Sequence, residues 1–420
     1  MSKIRHWLIL VCCYCVFASA FVASCQWVKS LRWCDISVRY HEICCSHTGV
    51  NPFDVWSHRV ETERFIGWWR PDFPESREYR LRYSGENPEK VRVHAYPPWH
   101  TTFAWFYGWM PRHALIAWIT VLNTLLFVFF ANRLRRWAPI EPASERQEFQ
   151  LIVFAGIAFQ MAYLLGVGNY GGLLLVLIVL MMEAFEKRRE VLIGVLWALA
   201  MVKPQVGLLL FWPLFFGKCY KAIAVAVTIC LLATLWPAYV YHTSPIELLL
   251  QVPQIGAPYL VSGGYSPAEV MLEWFGKYGP TLWMGIFFLA LGGLSFLVRH
   301  EKSTLFRFAP ALIVFPFWTY SQLHDHVILA LLYVLILREV YGIGKGLLSA
   351  GERRWVSYAL VANLFSIAIA GSMDFAYRIE RLDEAATFAL YHSVCFLPTY
   401  LPPVLAAWLL IRSVRAARSA

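Results

Sequence analysis

Charge is scarce in this chain. Lys, Arg, Asp and Glu make up 15% of the 420 residues, against about a quarter in soluble globular domains. That scarcity argues against a soluble enzyme or a secreted domain. The long apolar blocks also lack the polar/apolar alternation of a spanning strand, so helices are the natural reading. No internal repeat is evident, which leaves a repeat-built transporter without direct support. No nucleotide-binding motif is present. The ten cysteines show no metal-ligand spacing. Cys12, Cys13, Cys15 and Cys25 fall inside the first apolar block and read as packing residues. Cys34, Cys44 and Cys45 lie beyond it, where a disulfide stays open.

What the chain has in abundance is apolar length. Hydrophobic residues make up 59% and the mean hydropathy is +0.51. They gather in blocks such as 121–131, 173–182 and 286–298. A spanning helix needs roughly 20 mostly apolar residues. The first block, 7–27, follows Lys3 and Arg5, as a signal peptide would. It is too long for a typical signal core and reads as a retained first span.

The net charge of +10 suggests nucleic acid as a partner, but the placement of the bases excludes it. Many of them sit just past the ends of apolar blocks, where the positive-inside rule puts them. Blocks 113–131, 149–167 and 171–185 are followed by Arg133, Arg135 and Arg136, then by Lys187, Arg188 and Arg189. Those two loops therefore face the cytoplasm, with the N-terminus inside and residues 28–112 outside. Block 191–216 is interrupted by Lys203-Pro204. Read as a hairpin, it returns Lys218 and Lys221 to the inside. Blocks 222–239, 281–298, 305–320, 327–337, 355–372 and 386–411 follow. Arg299, Lys302, Arg338, Lys345, Arg353, Arg354, Arg412, Arg415 and Arg418 all fall inside only if the hairpin holds. The predicted fold is thus an all-α, polytopic bundle of about twelve membrane helices with both termini cytoplasmic. It reads as one domain over 1–420, with a large first extracytoplasmic loop at 28–112 and a second at 241–280.

The candidate residues lie on the predicted outer face. Asp35 follows the first span, where a carboxylate can act as general base on a membrane-adjacent hydroxyl. It can equally cap a following helix over 36–46. Tyr96-Pro97-Pro98-Trp99 stiffens the chain where it returns to the membrane. Lys203 lies deep in an apolar run, and such a cation is a functional candidate by default. It can hold an anion such as phosphate, or snorkel from the hairpin tip to the interface. His324-Asp325-His326 offers two imidazoles and a carboxylate, but neighbouring residues point apart and do not readily share one metal. A loop or a phosphate contact fits that triplet better. The glycines around Gly168-Asn169-Tyr170-Gly171 permit a sharp turn.

Taken in order, these features resemble glycosyltransferase family 87, polyprenol-phosphate-mannose-dependent mannosyltransferases of the GT-C class. The likeness runs roughly from Asp35 to His326. The family has an Asp after the first span, a Tyr-bearing helix and a Gly-X-Pro-Tyr-like turn, matched by Asp35, Tyr40 and Gly49-Val50-Asn51-Pro52-Phe53. Its Tyr-Pro-Pro and helix ending in Pro are matched by Tyr96-Pro97-Pro98 through Pro111, and its Lys-Pro by Lys203, Pro204 and Pro213. Its Ser-X-X-His-like element is matched by Ser321 and His324. Two elements depart. The Gly-Gln-X-Asn loop reads Gly168-Asn169-Tyr170-Gly171, and the Asn-X-Ser-like site reads Gly263-Gly264-Tyr265-Ser266.

The resemblance implies an inverting transfer of mannose or another hexose from a polyprenyl-phosphate donor to an extracytoplasmic glycan or glycolipid. Asp35 is then the base. Lys203, His324 and His326 contact the donor phosphate, and Tyr96, Asn169 and Ser266 contact substrate. It implies no cofactor and no metal, and a multi-pass place in the plasma (inner) membrane. A flippase for lipid-linked saccharide and a polysaccharide polymerase or ligase are the competing readings. A flippase predicts paired charges within the spans. A polymerase or ligase carries its large loop late in the chain rather than first.

Overall fold

The computed structural model describes residues 3–29, 35–47, 49, 51–52, 96–137, 139–141, 143–251, 275, 279–318, 323–378 and 384–419. Every regular element in them is helical. The main ones are α1 (Lys3–Lys29), α2 (Asp35–His47), α3 (Pro98–Phe103), α4 (Arg112–Trp137), α5 (Ala143–Gly156) and α6 (Ala158–Val167). They continue with α7 (Gly171–Glu186), α8 (Glu190–Ala200), α9 (Pro204–Phe216) and α10 (Tyr220–Val240). The last are α11 (Gly279–Leu297), α12 (Thr304–Trp318), α13 (Ala330–Val340), α14 (Ala350–Arg378) and α15 (Glu384–Ser419). Short 3₁₀ turns, Trp105–Trp109 and Leu323–Leu329, precede α4 and α13.

The apolar pattern sorts the helices into an inside and an outside. A helix apolar on all faces is buried, and α7 and α13 obey this: ten of the eleven residues of α13 are buried. The peripheral helices instead turn large apolar side chains outward. Leu232 is 60% exposed and Tyr239 73% on α10, and Leu125 and Val128 are exposed on α4. Among the described residues, two helices are long and apolar enough to cross a membrane, His113–Trp137 and Tyr220–Val240. Shorter apolar helices are His6–Phe21, Glu190–Ala200, Pro204–Phe216, Leu282–Leu297 and Thr304–Trp318. The all-helical class expected from the sequence is therefore observed, while two such helices are fewer than the twelve spans read from it.

One reason is that predicted blocks are broken. Block 149–167 is two helices, parted at Ile157, whose φ of −121° leaves the helical region. Gly156 stands at the break. A Cβ there would lie 2.5 Å from the Tyr333 ring. The aromatic ring of α13 thus occupies the space that a side chain on α5 would need. Block 191–216 is also broken, at Lys203-Pro204. Pro204 lacks the N–H that would continue α8, and Lys203 leaves helical geometry at φ −112°, ψ 89°.

This second break is a hairpin. Arg188 Nη1 donates to the Gly217 carbonyl at 2.8 Å, and the Lys221 N–H donates to Glu190 Oε2 at 3.1 Å. Both feet of the α8–α9 pair therefore stand together, and Lys203 is at the far tip. Helix alternation then defines two ends of the bundle. At the foot end, Arg133 pairs with Glu183, Arg338 Nη1 donates to the Trp137 carbonyl at 3.0 Å, and His6 and Tyr341 meet Glu148. At the tip end are Tyr170, which opens α7, and Lys203, which closes the hairpin. Trp318, which ends α12, joins them by donating Nε1–H to the Gln205 carbonyl at 2.8 Å.

Candidate active site

The tip end gathers the polar residues that apolar packing would exclude. Lys203 is buried, and its ammonium pairs with the carboxylate of Asp325 in the 3₁₀ turn Leu323–Leu329. A buried cation is tolerated only when paired. An ammonium carries three donors, and Asp325 takes one of them. His326 is fully buried beside Asp325, with its ring edge-on to Phe315 at 5.8 Å.

A second polar cluster lies alongside. Arg39 and Glu42 stand one turn apart on α2, and Arg39 Nη1 donates to Glu42 Oε2 at 2.7 Å. Glu42 Oε1 accepts the Tyr96 N–H at 3.0 Å and faces His100 Nδ1 at 3.3 Å. His100 Nε2 lies 2.9 Å from the Tyr170 hydroxyl. Arg39 also stacks over the Tyr96 ring at 3.7 Å, a cation–π contact. Burial pushes the Tyr170 phenol well above its ordinary range, so it stays a protonated hydrogen-bond donor.

The two clusters share walls. Trp99, next to His100, donates Nε1–H to the Met201 carbonyl at 3.0 Å, two residues before Lys203. Val202 packs in one apolar group with Ile36, Ile43, Tyr107 and Tyr170. Gly168 adopts φ +66°, and a Cβ there would lie 2.7 Å from Ile36 Cγ2. The turn before α7 and the start of α2 are therefore in direct contact.

Asp35 is the first residue of α2, beside Ile36 in that contact; its side chain is outside the described residues. Asn169 is buried, and its carbonyl accepts from Asn123 Nδ2 at 3.1 Å. Tyr96 lies in the second cluster. His324 belongs to the 3₁₀ turn that holds Asp325, with its side chain outside the described residues. Ser266, Ser321 and Cys34 fall wholly outside them, as do the side chains of Cys44 and Cys45. Among the described residues, no three His, Cys, Asp or Glu side chains converge as metal ligands. Sequence reasoning missed Arg39, Glu42, His100 and Tyr170. Two weak signals existed: the i,i+3 pair Arg39/Glu42 and the i,i+4 pair Tyr96/His100.

These walls, from Tyr96 through the hairpin to the end of α12, fall within one stretch of recognised sequence. The family model of glycosyltransferase family 87 matches residues 94–321. The chain belongs to glycosyltransferase family 87. No curated protein and no solved structure matches it. The matched stretch of this glycosyltransferase contains Tyr96, His100, Asn169, Tyr170 and Lys203. It begins after Asp35, Arg39 and Glu42 and ends before His324 and Asp325. The acidic partners of both polar clusters, Glu42 and Asp325, therefore lie outside the matched core.

Proposed function

We propose that this family 87 glycosyltransferase moves a hexose, mannose being the first candidate, from a polyprenyl phosphate to an extracytoplasmic glycan or glycolipid. The observation that carries the reading is the convergence at one bundle end of the α2 start, the Lys203 tip and the Asp325 turn. Those are the segments that bear the proposed base and the proposed phosphate contacts.

The transfer runs as a single displacement. The acceptor hydroxyl attacks the anomeric carbon while Asp35 takes its proton. The bond from that carbon to the phosphate oxygen breaks, and polyprenyl phosphate leaves with the electron pair. The new bond forms on the opposite face, so configuration inverts. Negative charge grows on the leaving phosphate, and Lys203, His324 and His326 stabilise it. Asp325 holds the Lys203 ammonium at the tip. Tyr96, Asn169 and Ser266 line the substrates.

The enzyme sits as a multi-pass protein in the plasma (inner) membrane, with both termini cytoplasmic and the site extracytoplasmic. The outward apolar side chains on α4 and α10 support this placement, as do the basic residues gathered at the foot end. The test is sugar transfer from a synthetic polyprenyl-phosphate sugar by purified full-length protein. Asp35→Asn is expected to lower the rate by about 10²-fold or more while the helical circular dichroism stays unchanged. Full activity in that variant refutes the base assignment.

A further inference from the structure

The foot end of the hairpin carries a feature that sugar transfer does not use. Two segments lie side by side there, the loop 187–189 and residues 217–221 leading into α10, joined by the Arg188–Gly217 and Lys221–Glu190 hydrogen bonds. Lys187, Arg188, Arg189, Lys218 and Lys221 are all exposed on them. Both segments turn through left-handed backbone, at Arg188 (φ 53°) and Lys218 (φ 60°). Such helix-ending positions usually hold Gly or Asn, because a side chain is strained there. Here each holds a cation. The two segments adjoin, and left-handed non-glycine backbone of this kind concentrates at ligand sites.

A groove of about 560 Å³ opens beside them, lined by Arg188, Arg189, Glu190, Val191, Leu192, Val195 and Lys221. Its polar rim sets three cations against one carboxylate. The α8 N-terminus opens there too, and its first amides add to the positive field. Val191, Leu192 and Val195 are exposed on one face of α8, running from the rim toward the middle of the bundle. An anionic head above an apolar strip is the shape of a phospholipid.

We infer that this groove binds the phosphate of an anionic phospholipid, with an acyl chain along Val191, Leu192 and Val195. The inference rests on the membrane placement proposed above, which puts these segments at the cytoplasmic surface. It assigns a site about one helix length from the candidate catalytic end and independent of Asp35.

The experiment uses full-length protein in phosphatidylcholine vesicles with and without phosphatidylglycerol. After extraction, retained lipid is counted by native mass spectrometry. The wild type is expected to retain phosphatidylglycerol over phosphatidylcholine. Each cation removed is expected to weaken that preference about fivefold. Arg189→Gln with Lys221→Gln tests this and leaves the Arg188–Gly217 bond intact. Arg188→Gly relieves the left-handed strain while removing charge, so its lipid preference falls even where its melting temperature holds. Equal retention of the two lipids by the wild type, or an unchanged preference in both variants, overturns the site. Inorganic phosphate alone protecting the detergent-solubilised protein as well as phosphatidylglycerol does would make it a free-anion site and overturn the lipid assignment. Failure to insert into phosphatidylcholine vesicles at all overturns the membrane placement, and the site with it.

Discussion

Lys203 and Asp325, 122 residues apart in the chain, form an ion pair with side chains only 2% and 1% exposed. The pair ties the hairpin tip to the turn that leads into α13. Removing one partner of a buried pair strands the other charge at a cost of about 3–5 kcal/mol, whereas apolar replacement of both is often neutral. Lys203→Met or Asp325→Asn is therefore expected to lower the melting temperature sharply in detergent. Lys203→Met with Asp325→Leu is expected to recover most of it. If Lys203 serves the donor phosphate, that recovered double variant folds but no longer binds polyprenyl-phosphate sugar. Retained donor binding in the double variant would limit Lys203 to a structural role.

Glu42 lies seven residues after Asp35, two helical turns and about 10 Å along the same face of α2. Its bonds to Tyr96 and His100 fix α2 against the segment that Trp99 pins to the hairpin. With Asp35 as the base proposed above, Glu42 is the residue that positions it. Glu42→Gln keeps an acceptor for the Tyr96 N–H but loses the charge facing Arg39. Misplacing a reacting group by about 1 Å can cost about 10²-fold, so kcat is expected to fall at least about tenfold. The KM for donor should stay within about twofold, because the Lys203 turn is untouched. Steady-state kinetics with varied donor separates the two; a rise in donor KM alone would contradict the assignment.

Gly168 tests the contact between the α7 turn and α2. Its left-handed backbone disfavours any side chain by about 1–2 kcal/mol, and a Cβ would press on Ile36. Gly168→Ala is expected to lower both stability and transfer rate, since Ile36 adjoins Asp35. The comparison is Gly346→Ala, also left-handed but with nothing within 4 Å of the added Cβ. That variant should lose stability without losing activity in the remaining folded enzyme.

Much of this architecture is legible in the sequence, for physical reasons. Lys203-Pro204 announces a break because proline removes a helical donor and a buried cation needs a partner. Basic residues after apolar blocks mark one end of the bundle, and the structure does bring Arg133, Arg188 and Arg338 to the same end. The break at Ile157 is hidden, since it depends on Tyr333 filling the space above Gly156 from 177 positions away. Glu42 and His100 are hidden for a similar reason. They are 58 positions apart, and each reads alone as an ordinary polar residue. Asp325 is visible only inside an ambiguous His-Asp-His triplet, and its partner Lys203 stands 122 positions away at the tip of the α8–α9 hairpin.

Glu352 gives a pH test at the other end. It closes a capping box with Ser349, accepting the Ser349 N–H at 2.8 Å, and also meets Arg412. The Ser349 hydrogen bonds and then Arg412 pull its carboxyl down to about 2. A depressed carboxyl contributes stability that is present above its unfolded value, about 4.3, and is lost as pH falls toward 2. Glu352→Gln is thus expected to lower the melting temperature at pH 7 and to narrow its gap to wild type between pH 4 and pH 2. Thermal unfolding across that range reads it; a constant gap would refute the assignment.

The alternation of the helices has a consequence for how such an enzyme diversifies. Asp35, Tyr96, Asn169, Lys203 and His326 sit in turns or at helix ends on one side, and the rods between are apolar and cross-tied on the other. Lengthening or recolouring a turn changes the tip end without altering rod packing. If the acceptor binds at the tip end as proposed, new acceptor preferences arise by loop exchange alone, while the foot-end ion pairs keep the frame in register.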